Sequence, residues 1–318
     1  MKFRYMIWVS MLAFAIASCA PDDTTYIVNT NVSTGSDDTD DAYYPSTPPR
    51  PGQITGGYAP EGYSLVWSDE FEQSASLARE WYFESGGRWA NNEVQYYCPK
   101  GYFAATDQRT ATVSDGTLKI TAYKVEPSEA SEGRSYISTR MNTRRGFKYG
   151  YIEMRARLPL AHGTWPAFWM LPTDGKFDVS NGGGELDIME WVGNEPDLVW
   201  FSAHSQHVTT GTADRYTDPE TGVEYPHSTS VRVESPGDWH CYGMEWTHEY
   251  VRATFDGIEY FYAPNPIPFG TDVTWWPFDK EYYIKLNLAM GGSWGGEIDP
   301  DFTSATYEID YVRVFQKK

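Results

Sequence analysis

The stretch Gly182-Gly183-Gly184-Glu185-Leu186-Asp187-Ile188-Met189-Glu190-Trp191-Val192-Gly193 decides how this chain is read. Three carboxylates fall within six residues, bracketed by glycines. Successive side chains of a strand point to opposite faces. Glu185 and Asp187 therefore share one face, while Leu186 and Ile188 point into an apolar interior. Strict alternation would next present Met189. Bringing Glu190 beside the first two acids takes one extra residue, a β-bulge, which is a device that re-aims side chains next to active sites. Like charges crowded on one face repel one another and cost stability. A strand that keeps three of them points to a use for them.

Two glutamates on one face are the equipment for retaining glycoside hydrolysis. One attacks the anomeric carbon; the other protonates the leaving oxygen and later activates water, with the carboxyl groups roughly 5–5.5 Å apart. A solvated acidic face or a metal site would use the same residue types. The rest of the chain separates these readings.

The 318 residues carry a formal net charge of −19, which argues against binding nucleic acid or an anionic membrane surface through charge. The balance suits a neutral partner. Thirteen Trp and 24 Tyr suit flat, uncharged rings such as sugars. The length fits one all-β domain with a full core.

The first residues read as a targeting segment. Lys2 and Arg4 make a basic end, and Met6 to Ala17 is an apolar run too short for a comfortable membrane span. Ile16-Ala17-Ser18-Cys19 resembles a bacterial lipobox, so residues 1–19 are expected to be a lipoprotein signal peptide with Cys19 as the lipidated residue. Asp22-Asp23 resembles a sorting signal of surface lipoproteins. Residues 20–60 are rich in Asp, Thr, Ser, Pro and Gly and read as a disordered linker. The expected location is the bacterial cell envelope, as an outer-membrane lipoprotein exposed at the surface and touching the membrane only through its lipid. Of the remaining cysteines, Cys98 and Cys241, two free buried thiols are expected, with a disulfide as the alternative.

From residue 61 to 318 the pattern is that of one β domain. Ile152, Met154, Ala156 and Leu158 alternate with Tyr151, Glu153, Arg155 and Arg157. Leu118, Ile120 and Ala122 alternate with Lys119, Thr121 and Tyr123, and Ile284, Leu286 and Leu288 with Lys285 and Asn287. Asp256-Gly257 between two apolar runs predicts a hairpin. No long segment has sustained helical periodicity. Many short strands between Gly/Pro/Asp turns favour a sandwich or jelly roll.

A series of ordered blocks now joins the acid triplet. They are Trp67-Ser68-Asp69-Glu70-Phe71, the run Asn91 to Tyr97, Tyr136 to Arg140, and Gly163-Thr164-Trp165-Pro166-Ala167-Phe168-Trp169-Met170-Leu171-Pro172. After the triplet come Trp239 to Thr247, Asn287 to Trp294, and Ile309 to Val314. From about Leu65 to Gln316 the chain resembles glycoside hydrolase family 16, in the β-bulged branch of laminarinases and related β-glucanases.

The resemblance implies an all-β, concanavalin A-like jelly roll, a β-sandwich of two antiparallel sheets with an open concave cleft that admits a polymer mid-chain. It implies Glu185 as nucleophile, Glu190 as general acid/base and Asp187 tuning both. Trp165, Trp169 and Trp294 are implied as sugar platforms, and Asn91, Arg140 and His204 as polar contacts. Trp191 is expected in the core. One structural calcium is implied on the far side, held by Glu70, the Gly116 carbonyl and Asp310, with no cofactor for catalysis. The expected activity is that of a retaining, monomeric endo-β-glucanase acting on β-1,3-glucan or mixed-linkage β-1,3/1,4-glucan. The alternatives are a galactan (agar or carrageenan) hydrolase, which would favour basic cleft residues for sulfated chains, and a non-catalytic surface β-glucan-binding protein, whose kind loses one or both glutamates. The long 209–231 stretch is expected to wall one end of the cleft.

Overall fold

Alternating apolar residues build two sheets that face each other across one interior. The computed structural model describes residues 57–87, 89–177, 182–206, 215–217, 222, 224–267 and 270–318. The expected signal peptide with Cys19, the linker as far as residue 56, and most of 209–223 lie outside the described residues.

A seven-stranded sheet runs in the order Ser228–Arg232, Leu198–His204, Glu185–Trp191, Thr164–Pro172, Tyr282–Met290, Arg140–Thr143, Trp81–Phe83. Behind it lies a ten-stranded sheet centred on the long strand Ser304–Lys317, which pairs with Tyr63–Asp69, Gly150–Arg157 and Thr117–Lys124. One core fills the space between them. Leu186, Ile188, Met189, Phe168, Met170, Leu286 and Leu288 from the first sheet meet Ile152, Met154, Ala156, Leu118, Ile120, Val312 and Val314 from the second. Each fully buried side chain of this kind contributes about 1.5–3 kcal/mol by leaving water. This is the expected jelly roll, and the Asp256-Gly257 hairpin forms as predicted, with positive φ at both residues (48° and 77°).

Three details differ from the sequence reading. First, one pair is parallel rather than antiparallel: Gln95–Tyr97 with Tyr136–Ser138. The long connection between these strands permits a crossover that a hairpin cannot make. Second, the alternation in Gly150–Arg157 does not separate core from solvent. Tyr151 and Glu153, on the outer face, are as buried as their neighbours. Third, residues 57–60, assigned to the linker by composition, belong to the folded face that covers them. The Tyr58 N–H donates to Glu153 Oε2 at 2.7 Å, and Tyr58 packs beside Tyr63, Tyr151 and Phe315. Cys98 and Cys241 are buried thiols in separate clusters, so the disulfide alternative is not formed.

Candidate active site

The acid strand Glu185–Trp191 does not alternate. Its register to Thr164–Pro172 pairs Phe168 with Met189 and then Trp169 with Asp187, leaving Ile188 without a partner. The register to Leu198–His204 shifts over the same stretch, between Asp187 and Glu190. The residue pattern explains the bulge. Ile188 and Met189 are adjacent, both apolar and both fully buried. A regular strand would turn one of them outward at the cost of a buried apolar side chain. The bulge lets both face the core and returns Glu190 to the face of Glu185 and Asp187. The flanking glycines serve close packing: a Cβ at Gly184 would collide with the Tyr282 hydroxyl, and one at Gly193 with the Ala161 carbonyl oxygen.

Cross-strand register turns the sheet's open face into a grid. One row runs Trp200, Glu190, Ala167, Asn287, Arg140. The next runs Ser202, Asp187, Trp169, Lys285, Asn142, Tyr82. Above this grid lies a cleft of about 430 Å3 in which Glu185 and Glu190 stand together with Trp165, Trp169, Asn91 and Arg140.

Hydrogen bonds and charges fix the acids. The Trp165 indole N–H donates to Glu190 Oε1 at 3.0 Å. The His204 Nε2 lies 2.9 Å from Asp187 Oδ2. Single polar atoms of Glu185, Asp187 and His204 fall within 4.8 Å of one another. Burial, then the Asp187 charge, pushes Glu185 up to about 8. Burial also lifts Asp187 to about 7, against a hydrogen bond with Glu185 that pulls it down. Glu190 is held well above the ordinary carboxylate range, by burial first and by the Asp187 and Glu185 charges next. The three titrate as a unit, each held toward its protonated form by burial first. A group of carboxyls with a proton held among them is the kind of equipment that glycosidic cleavage uses.

The family profile of glycosyl hydrolases family 16 matches residues 99–313. The chain belongs to this family. It is 37% identical over 265 residues to a beta-glucanase of Rhodothermus marinus, an alignment covering 80% of this chain and 85% of that one. The structure of the laminarinase from Rhodothermus marinus superposes with a TM-score of 0.65 at 36% identity, covering 80% of this chain and 97% of that one. The catalytic domain of the laminarinase from Thermotoga maritima superposes with a TM-score of 0.66 at 30% identity, covering 81% of this chain and all of that one (100%).

In this family 16 hydrolase the residues expected at the site divide into three groups. Glu185, Glu190, Asn91, Arg140, Trp165 and Trp169 line one cleft. Trp165 is buried and holds Glu190, so its role is wider than the stacking expected of it. Asp187, almost fully buried, and His204 stand together beside Glu185. Trp294, expected as a platform, is half-buried among other indoles. It packs edge-on against Trp165 (5.3 Å) and Trp200 (5.9 Å), and it is not among the residues lining the acid cleft. Trp191 is in the core, with its indole N–H on the Pro196 carbonyl.

The expected calcium ligands do not fit a cation. Both oxygens of Glu70 accept from the Arg313 guanidinium, at 2.9 and 2.8 Å, in a pair buried on both sides. The Asp310 carboxylate accepts from Arg155 at 2.8 Å. Gly116 lies in the tight turn between Ala111–Ser114 and Thr117–Lys124. Both carboxylates are already neutralised by arginine.

Several cleft residues were not singled out from sequence, among them Glu84, Trp89, Tyr283 and Lys285. Tyr283 and Lys285 had a signal, since they alternate with the core residues Ile284 and Leu286. Glu84 and Trp89 come from the chain after Trp81–Phe83, where no periodicity marks a cleft.

Proposed function

We propose that the protein is a retaining endo-β-glucanase that cuts internal bonds of β-1,3-glucan or mixed-linkage β-1,3/1,4-glucan. The observation that carries this is the bulge at Ile188-Met189, which sets Glu185 and Glu190 side by side in an open cleft. Glu190, protonated, gives its proton to the glycosidic oxygen as the bond to the anomeric carbon breaks. Glu185, ionised, takes that carbon and forms a glycosyl ester. Its negative charge is then gone, Glu190 becomes the base, and water attacks the ester with its help. Asp187, anchored beside His204, keeps Glu185 in place and supplies charge that holds the proton on Glu190. Trp169 offers an indole in the cleft, while Asn91 and Arg140 offer polar contacts for sugar hydroxyls.

We further propose that the hydrolase sits on an acidic tether lipidated at Cys19, at the surface of a bacterial envelope.

The test is product analysis on laminarin, barley β-glucan, lichenan and agarose. Laminarin or the mixed-linkage glucans should yield oligosaccharides rather than single sugars, with the β-anomer appearing first in proton NMR. Cleavage of agarose alone, or an α-anomer first, would overturn the assignment.

A further inference from the structure

Lys285 is a buried lysine on the cleft floor, only 1% exposed, to which the chemistry above gives no task. Its Nζ donates to the Glu84 carboxylate and, at 2.7 Å, to Asn142 Oδ1. Asn142 Nδ2 in turn donates to Glu84 at 2.7 Å, and Arg140 Nε lies 2.9 Å from the other Glu84 oxygen. The same ammonium sits 5.1 Å from the centre of the Trp169 ring, and the Arg140 guanidinium carbon is also 5.1 Å from it. Trp169 donates its indole N–H to Asn287 Oδ1 at 2.7 Å. One ammonium thus joins residues of three adjacent strands and the segment after a fourth.

A buried ammonium is costly unless paired, and a leucine or methionine would fill the space without that cost. What the charge adds is direction. Its donors fix Glu84, Glu84 orients Arg140, and both cations meet the Trp169 ring. We propose that Lys285 is a positioning residue for glycan binding, holding Arg140 through Glu84 and holding the Trp169 indole in the pose that receives a sugar ring. This rests on the β-glucanase reading above.

A positioning role for Lys285 carries a pH signature. Lys285 faces Glu84, Arg140, Asn142, Trp169 and, on its own strand, Tyr283, with Glu185 further along the floor. Burial first, and repulsion from Arg140 next, hold it down to about 8 against the pull of Glu84. The ammonium is present below that pH and lost above it. Glycan affinity then falls on the alkaline side through a group that takes no part in bond cleavage.

The experiment uses the full chain carrying Glu190→Gln, which removes turnover, and laminarihexaose as ligand in titration calorimetry from about pH 6 to pH 9. Glu185 and Asp187 titrate in every protein compared, so only the differences made at position 285 are read. Adding Lys285→Met should weaken binding by about tenfold at pH 6, the weight of one cation–π contact or charged hydrogen bond, and remove the alkaline loss. Adding Lys285→Arg, a charge that does not titrate here, should restore most of the affinity and show a smaller alkaline loss than the parent. Unchanged affinity in the Met variant overturns the proposal. So does an alkaline loss in the Arg variant equal to that of the parent, and this arm decides alone should the Met variant not fold. No binding of laminarihexaose by the parent would defeat the glucanase reading and this inference with it. Binding by the parent with no effect at position 285 would defeat this inference only.

Discussion

The indole N–H of Trp165 donates to Oε1 of Glu190 at 3.0 Å, from the strand next to the acid strand. The bond leaves the other carboxyl oxygen as the proton carrier and fixes the plane of the group. It also favours the ionised form, against burial and the charges of Asp187 and Glu185. Trp165→Phe removes the donor but keeps an aromatic face. Glu190 should then hold its proton more tightly, and the alkaline limb of kcat should move to higher pH. The same variant should lose about tenfold in kcat, the weight of one charge-assisted hydrogen bond. An alkaline limb that stays in place or moves down would show that the contact does not tune the acid.

The raised carboxyls also bear on stability. Folding lifts Glu185 from the ordinary range to about 8, so the folded protein binds a proton that the unfolded chain releases. The stability tied to that proton is full below the unfolded pKa and is lost as pH rises through about 8. Glu185→Gln keeps the shape and removes the titration. Its melting temperature relative to wild type should rise steadily from pH 5 to pH 8. A difference in melting temperature that does not change with pH would contradict the assignment of the shift to this group.

The roles of the two glutamates separate by leaving group. Glu185→Gln removes the attacking carboxylate and should lower turnover by at least about 10³-fold on every substrate. Glu190→Gln should do so on glucan, whose leaving sugar needs a proton, while still releasing a burst of dinitrophenol from a dinitrophenyl glucoside oligomer, whose leaving group needs none. Equal loss in both variants on the activated substrate would remove the distinction drawn between them.

Much of this is legible in the sequence alone. Strand alternation exposed the two-sheet core, and the acid strand announced its own bulge, because Ile188 and Met189 cannot both be buried in a regular strand that also keeps Glu190 with Glu185. What stayed hidden were relationships between distant segments. Glu153 reads as an outward residue, and only the return of residues 57–63 over that face buries it. Lys285 reads as a solvated lysine in an alternating strand, and only Glu84 and Asn142 turn it into a cleft-floor contact. Trp294 reads as a lone platform among glycines, and nothing local shows that Trp165 and Trp200 pack against it. The expected calcium site failed for a like reason: nothing local to Glu70 shows that Arg313 lies opposite.

That last pair carries its own prediction. Glu70 and Arg313 are 2% and 3% exposed and joined by two hydrogen bonds in the region away from the cleft. Removing one partner leaves the other charge buried, which costs about 3–5 kcal/mol. Glu70→Gln should therefore lower the melting temperature by roughly 10 °C, at a few degrees per kcal/mol for a domain of this size. Turnover of the folded enzyme at low temperature should stay near wild type, since the catalytic acids stand on the other sheet. Treatment with EDTA should leave the wild-type melting temperature unmoved, because the Glu70 and Asp310 carboxylates already hold guanidinium groups. A drop of several degrees in EDTA, restored by calcium, would mean that these acids release their arginines to a cation.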